Sequence, residues 1–256
     1  MKTLKKTLLI LSIFILIISC SKDDEQVQTP KTQTTLLSKI NYSPTTYTKF
    51  LYDENNKLIF EEQVSSNGRV YNKTFVYSTK NKISETIRKQ MPGLNSIIKQ
   101  TYSYDSQDRI IEIKSFISTA NLPNDFVLEY SDMFSYSTNN IEFTRKNVQN
   151  NYSSQRTIFE LNQNGNYTKV KYFSNMSATD PIGVLSTTSN LEYDTKNNLF
   201  ANIPSEYLLS EKTKNNITKI TNSGNSASVL NFSYEYNQDG YPIKRNDEVT
   251  FEYIIK

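Results

Sequence analysis

The 256-residue chain has no histidine and no tryptophan, a single cysteine and only six glycines. Each shortage removes a class of function. Without histidine there is no Ser-His-Asp triad, no Cys-His dyad and no His-ligated zinc. With one cysteine there is no internal disulfide, so stability must come from strand pairing and apolar burial. Neither GxGxxG nor GxxxxGK[ST] occurs, so both common nucleotide cradles are missing. EF-hand spacing is absent too, and calcium needs several clustered oxygens. No metal or cofactor is expected. The formal charge of +3 comes from 29 basic and 26 acidic residues. Lys2, Lys5 and Lys6 account for it, and beyond residue 19 the two signs balance. There is no basic stripe of the sort phosphate binding needs, so nucleic acid is not an expected partner.

What the chain does have is tyrosine, 18 of them beside 13 phenylalanines, in a recurring phrase. YSYDSQDRII at Tyr102–Ile111 is matched by FLYDENNKLI from Phe50 and FVYSTKNKIS from Phe75. FELNQNGNYT from Phe159, LEYDTKNNLF from Leu191 and FSYEYNQDGYPI from Phe232 follow the same order. The anchor tyrosine or leucine recurs at 52, 77, 104, 136, 161, 193 and 236, a repeat of hairpin size. Alternation puts Tyr102 and Tyr104 on one face and Thr101, Ser103 and Asp105 on the other. The polar run then turns the chain. Asn55–Asn56, Gln107–Asp108, Asn164–Gly165, Asn197–Asn198 and Asp239–Gly240 read as turn centres, because Asn and Asp tolerate positive φ. Asn67–Gly68 is the strongest single hairpin signal.

These patterns predict an all-β fold, an antiparallel meander of repeated β-hairpins forming a large curved or wrapped sheet. Sixteen candidate strands run from Leu36–Tyr42 to Glu248–Ile254, with Phe126–Tyr136 and Ser228–Tyr236 among them. Ala120–Asp125 and Asn175–Gly183 read as loops that interrupt the repeat. One short helix is expected near 205–212, after Pro204.

The N-terminus carries the most specific signal. Three lysines precede an apolar stretch, Leu8–Ile18, too short to span a bilayer, which needs about 20 apolar residues. It reads as a signal peptide, residues 1–19. Ile17-Ile18-Ser19-Cys20 resembles a lipobox, in which the cysteine is lipidated and becomes the first residue. Ile17 replaces the commoner leucine. Lys22, Asp23, Asp24 and Glu25 follow, and resemble the Lys-then-acidic export signal of surface lipoproteins of the Bacteroidota kind; the plainer reading is a solvated tether. Residues 20–35 form the lipidated tether and linker, and 36–256 a single domain.

YDENNKLI at 52–59 and YDSQDRII at 104–111 resemble the YD repeat of Rhs-type and teneurin-type shells. Asn56 and Asp108 stand where that repeat prefers glycine, and the copies at 77, 136 and 161 lack the aspartate. The chain is also similar to Bacteroidota lipoproteins of unknown function, through the hairpins and the segment 193–220. That resemblance implies a β-rich fold and brings no catalytic residues.

Asp53, Asp105 and Asp194 invite a carboxylate-pair hydrolase, but their place in the repeat suits turn residues better. Exposed tyrosines suit sugar stacking; tyrosine is also a preferred strand residue. The expectation is therefore a lipoprotein of the outer membrane, attached through lipid on Cys20, with the cell surface favoured over the periplasmic face. Its role is expected to be non-enzymatic binding or structure, with an envelope protein or polysaccharide as partner. The alternatives are a periplasmic carrier or chaperone holding lipid or peptide in a concave sheet face, and a carboxylate-based hydrolase.

Overall fold

In a computed structural model the chain divides into two units, residues 1–32 and Gln33–Lys256. The structure describes residues 33–256 except 92–95, 120–121, 149–151, 175, 178, 181, 205–212 and 225–226. The signal peptide, Cys20, the Lys22–Glu25 run and the helix expected at 205–212 therefore lie outside the described residues. Among the described residues there are 17 strands and no helix. The first nine are β1 (Thr35–Ser43), β2 (Thr46–Tyr52), β3 (Leu58–Val64), β4 (Val70–Tyr77), β5 (Ile83–Met91), β6 (Ser96–Tyr104), β7 (Ile110–Thr119), β8 (Leu122–Tyr136) and β9 (Asn140–Asn147). The rest are β10 (Tyr152–Leu161), β11 (Tyr167–Ser174), β12 (Val184–Tyr193), β13 (Ile217–Gly224), β14 (Ser228–Asn231), β15 (Tyr234–Tyr236), β16 (Pro242–Arg245) and β17 (Thr250–Ile255).

All 17 belong to one antiparallel meander sheet. Successive strands from β1 to β14 pair in order, and so do β15, β16 and β17. The last strand then pairs with the first, Leu36 opposite Ile254 and Ile40 opposite Phe251. The sheet is thus wrapped, with β1 held on both edges. The expected strand Ser228–Tyr236 is real but broken in two. Phe232 still donates to Thr218 O at 2.8 Å, and two residues later Tyr234 sits opposite Arg245. The chain changes neighbours at that point, which ends one ladder and starts the next. A second difference is that β8 begins at Leu122, so much of the expected loop Ala120–Asp125 is strand.

The repeat closes most of its hairpins in the same way, the tighter turn after Tyr136, where Ser137 donates to Asn140 O, being an exception. In the Asp105 copy, the amide of Asp105 donates to Arg109 O and that of Asp108 to Asp105 O. The same pair of bonds recurs from Asp53, Ser65, Ser78, Asn162, Asn237 and Arg245. The fourth residue of each turn has positive φ: Asn56, Gly68, Asn81, Asp108, Gly165, Gly240 and Glu248. This is a type I turn followed by a left-handed residue that forms a bulge. The first residue makes the turn cohere. Asp105 Oδ1 accepts from the amides of Gln107 and Arg109, both at 2.9 Å; Asp53 does the same for Asn55 and Lys57, and Asn162 and Asn237 do so in their own turns. The Arg109 amide, before all else, holds the Asp105 carboxyl below the usual carboxylate range.

The bulge falls at the anchor residue, with register shifts between Leu51 and Tyr52, Val76 and Tyr77, and Ser103 and Tyr104. At five of the tyrosine anchors the ring turns inward, and its hydroxyl donates to a carbonyl at or near the start of the preceding strand. Tyr52 reaches Leu37 O at 2.7 Å, Tyr77 Leu58 O at 2.8 Å, Tyr104 Ile83 O at 2.7 Å, Tyr136 Ile110 O at 2.8 Å and Tyr193 Tyr167 O at 2.7 Å. The residue just after the turn supplies the core: Leu58 and Ile83 are 0% exposed and Ile110 2%. Leu36, Phe50, Phe75, Val249 and Phe251 join them.

Candidate functional site

The turn after the sixth anchor, Tyr193, departs furthest from the pattern. Between β12 and β13 the chain does not close after Asn197–Asn198, as the repeat predicts. It runs from Asp194 to Asn216 before the next strand. Asp194 Oδ1 takes the amide of Lys196 at 2.9 Å, as Asp105 takes that of Gln107, but its second amide comes from Asn216 at 3.1 Å. Asp194 Oδ2 accepts from Asn216 Nδ2 and from the Tyr236 hydroxyl.

The segment folds inward and is tied by its own amides. Asn198 is buried; its Nδ2 donates to Thr213 Oγ1 and to Asn215 O, each at 2.9 Å, and its Oδ1 accepts from Phe200 N at 2.7 Å. Asn216, 1% exposed, accepts from Leu199 N and donates to Asn197 O. Asn166 Oδ1, on the neighbouring hairpin, takes the amides of Lys214 and Asn215. Ile203 packs into the core cluster with Leu36 and Phe50, and Asn202 Nδ2 donates to Thr35 O at 2.6 Å.

Three cavities border this segment, and Asn198, Phe200 and Thr213 line two of them, one larger and one smaller. The larger, about 670 Å³, lies on the side of the turns after β6, β8 and β10. Its floor includes Ile110, Ile141 and Tyr167, and its rim Arg109, Asn164 and Lys214. Arg109 is committed there: it pairs with Asp105 at 2.7 Å and lies over the Tyr136 ring at 4.4 Å. The smaller, about 340 Å³, faces β13 to β17 and β1 and is walled mainly by Ile40, Ile220, Phe232 and Phe251. Volumes of about 300–1,000 Å³ are those of small-molecule sites.

Farther along the sheet the buried face turns polar. Register places Glu61 opposite Lys73 and Lys73 opposite Arg88, in one row with Phe50. Glu61 is 8% exposed. Burial raises the Glu61 carboxyl and lowers the Lys73 ammonium from their ordinary values. Arg88 lies over the Tyr71 ring at 4.3 Å. Beside them Thr86, Gln100 and Ser115 share hydrogen bonds at 3.3 and 3.1 Å, and Arg145 forks onto Asp132 at 2.7 and 2.8 Å. None of this row was singled out from the sequence. The signal was there only as charged residues at alternate positions beside apolar ones.

The carboxylates that had suggested a hydrolase are accounted for. Asp53, Asp105 and Asp194 sit in three separate turns and face backbone amides. Among the described residues no group of three acidic or cysteine side chains is placed to hold a metal. The anchor tyrosines Tyr52, Tyr77, Tyr104, Tyr136 and Tyr193 are turned inward with their hydroxyls bound.

No protein-family model matches the chain, and no curated protein matches it. Among solved structures it is similar in strand layout to two porin-like proteins. One, from Bacteroides uniformis ATCC 8492, is 11% identical with a TM-score of 0.38 over 89% of this chain and 97% of that one. The other, from Bacteroides vulgatus ATCC 8482, is 11% identical with a TM-score of 0.41 over 86% and 98%.

Proposed function

We propose that the chain is an outer-membrane lipoprotein with a non-enzymatic binding role, attached by lipid on Cys20. The Lys22–Glu25 run directs it to the cell surface, where an envelope protein or polysaccharide is its partner. The observation that carries this reading is the chemistry of the sheet's outward face. Thr157 and Val170 are buried, so their alternate neighbours Arg156, Lys169 and Lys171 point out. They pair there with other charges: Arg156 with Glu142 at 2.6 Å and Lys171 with Glu160 at 2.5 Å, as does Lys219 with Glu192 at 2.7 Å. A lysine or arginine facing lipid at the bilayer midplane costs about 2–4 kcal/mol. Several of them along strand centres favour a sheet that stands in water, so attachment falls to the N-terminus.

The test is metabolic labelling with palmitate. The native chain is expected to take label and Cys20→Ala to lose it; equal labelling of both would sink the lipoprotein reading. Protease shaving of intact cells then separates surface from periplasm. The second reading, a carrier of lipid or peptide, is favoured by the smaller, apolar cavity.

A further inference from the structure

We infer that the 340 Å³ cavity between the Asp194–Asn216 segment and the strands β13, β16, β17 and β1 is a binding site for a single alkyl chain. The inference deepens the carrier reading and rests on it. The wall is made of Ile40, Leu199, Phe200, Ile220, Phe232 and Phe251. The polar side chains beside them, Tyr42 and Arg245 among them, are in large part committed within the protein. Asn198 has two donor bonds and one acceptor bond within the segment. Thr213 donates to Asn215 O, and Asn216 spends its amide on Asp194, Asn197 and Leu199. The Tyr234 hydroxyl donates to Ile217 O at 2.9 Å. Arg245 forks onto Asp247 through two bonds of 2.7 Å.

A sugar or peptide needs convergent donors and acceptors, and a site that leaves a ligand's polar groups unpaired rejects it. Walls made mainly of aliphatic and aromatic side chains favour hydrocarbon over a polar ligand. The volume is at the small end for a ligand site and suits one chain rather than a whole diacyl lipid. The chain's source is either a free fatty acid or a single-chain phospholipid, since both present the same hydrocarbon.

The experiment uses the mature chain carrying Cys20→Ala, purified without detergent. Dodecanoate and a dodecanoyl lysophospholipid are titrated separately below their micelle concentrations and followed by calorimetry and native mass spectrometry. Saturable one-to-one binding of either is expected, and whichever binds more tightly identifies the source. Ile220→Trp, which fills the cavity, is expected to weaken binding at least tenfold with an unchanged circular dichroism spectrum. Leu199→Trp does the same from the segment side and serves if Ile220→Trp does not fold. Ala201→Trp, in the larger cavity, leaves binding unchanged. The proposal is overturned if neither amphiphile binds saturably, or if binding survives whichever filling variants fold. Palmitate labelling at Cys20 is read separately, so loss of this proposal leaves the anchoring result standing.

Discussion

The Asp105 turn and the Asp194 segment begin alike, with a tyrosine and an aspartate at the end of a strand, and finish differently. In the first, one carboxylate oxygen gathers two amides two and four residues ahead, and the chain reverses at once. In the second, the nearer amide is still two residues ahead, and the farther belongs to Asn216. The same oxygen thus closes a tight turn or the neck of a long insertion. The turn device fixes where two strands part and meet, and leaves free how much chain lies between. The insertion is tolerated because loop entropy grows slowly with length and because buried Asn198 and Asn216 satisfy backbone groups of Asn197, Leu199, Phe200 and Asn215.

The comparison is broken hardest at the core that both share. Leu58→Ala or Ile83→Ala, each at a fully buried position just after a turn, is expected to cost about 2–5 kcal/mol, read by urea denaturation. Asp194→Ala comes next. It strips partners from Asn216, Lys196 and Tyr236 together and is expected to cost roughly 2–3 kcal/mol. Asp105→Ala, at an exposed turn, should cost clearly less; equal losses would show that the two aspartates do the same job. Tyr104→Phe removes one part-buried hydroxyl–carbonyl bond, a loss of about 0.5–1.5 kcal/mol.

A pH titration sharpens the same contrast. Burial raises the hydroxyls of Tyr52, Tyr167, Tyr193 and Tyr253 well above their ordinary value and pushes Tyr102 up to about 12. A group whose folded pKa is raised adds stability below its unfolded pKa and loses it as pH climbs toward the folded value. Stability should therefore hold through neutral pH and fall above about pH 10. The inward tyrosines should contribute tyrosinate absorbance only together with loss of the β signal. Ionisation of every tyrosine while the sheet stays intact would contradict the inward rings. A modest effect is also expected at a left-handed position: Asp108→Val should cost about 1–2 kcal/mol, because a β-branched residue resists positive φ.

Much of the fold is legible because the repeat is local. Tyr-Asp, a polar run and a returning apolar residue specify strand, turn and core position within a dozen residues. Asn56 and Asp108 were recognisable as turn residues because they tolerate the φ that glycine would otherwise supply. Three features were not legible, for physical reasons. The pairing of Leu36 with Ile254 joins residues more than 200 apart, and their alternation would suit many partners. The buried row of Glu61, Lys73 and Arg88 depends on which face each strand turns inward, and a one-residue bulge beside Tyr52 or Tyr77 decides that. Glu61 and Glu62 are adjacent and alike, yet only Glu61 is buried. The failure of Asn197–Asn198 to close a hairpin follows from an amide at Asn216, which no local pattern announces.

The wrapped ladder also has a mechanical consequence. Thr34 and Lys256 exchange backbone bonds of 2.8 and 3.1 Å, and β1 beyond them is paired along both edges, with β17 and with β2. A pull on residue 33 along the strand loads these bonds in parallel, as a shear, and does not peel them one by one. Lys256 Nζ, bonded to Tyr52 O and Asp53 O at 3.0 and 2.7 Å, rivets the same corner. Tension applied at the N-terminal end of the sheet would then meet one of its strongest seams.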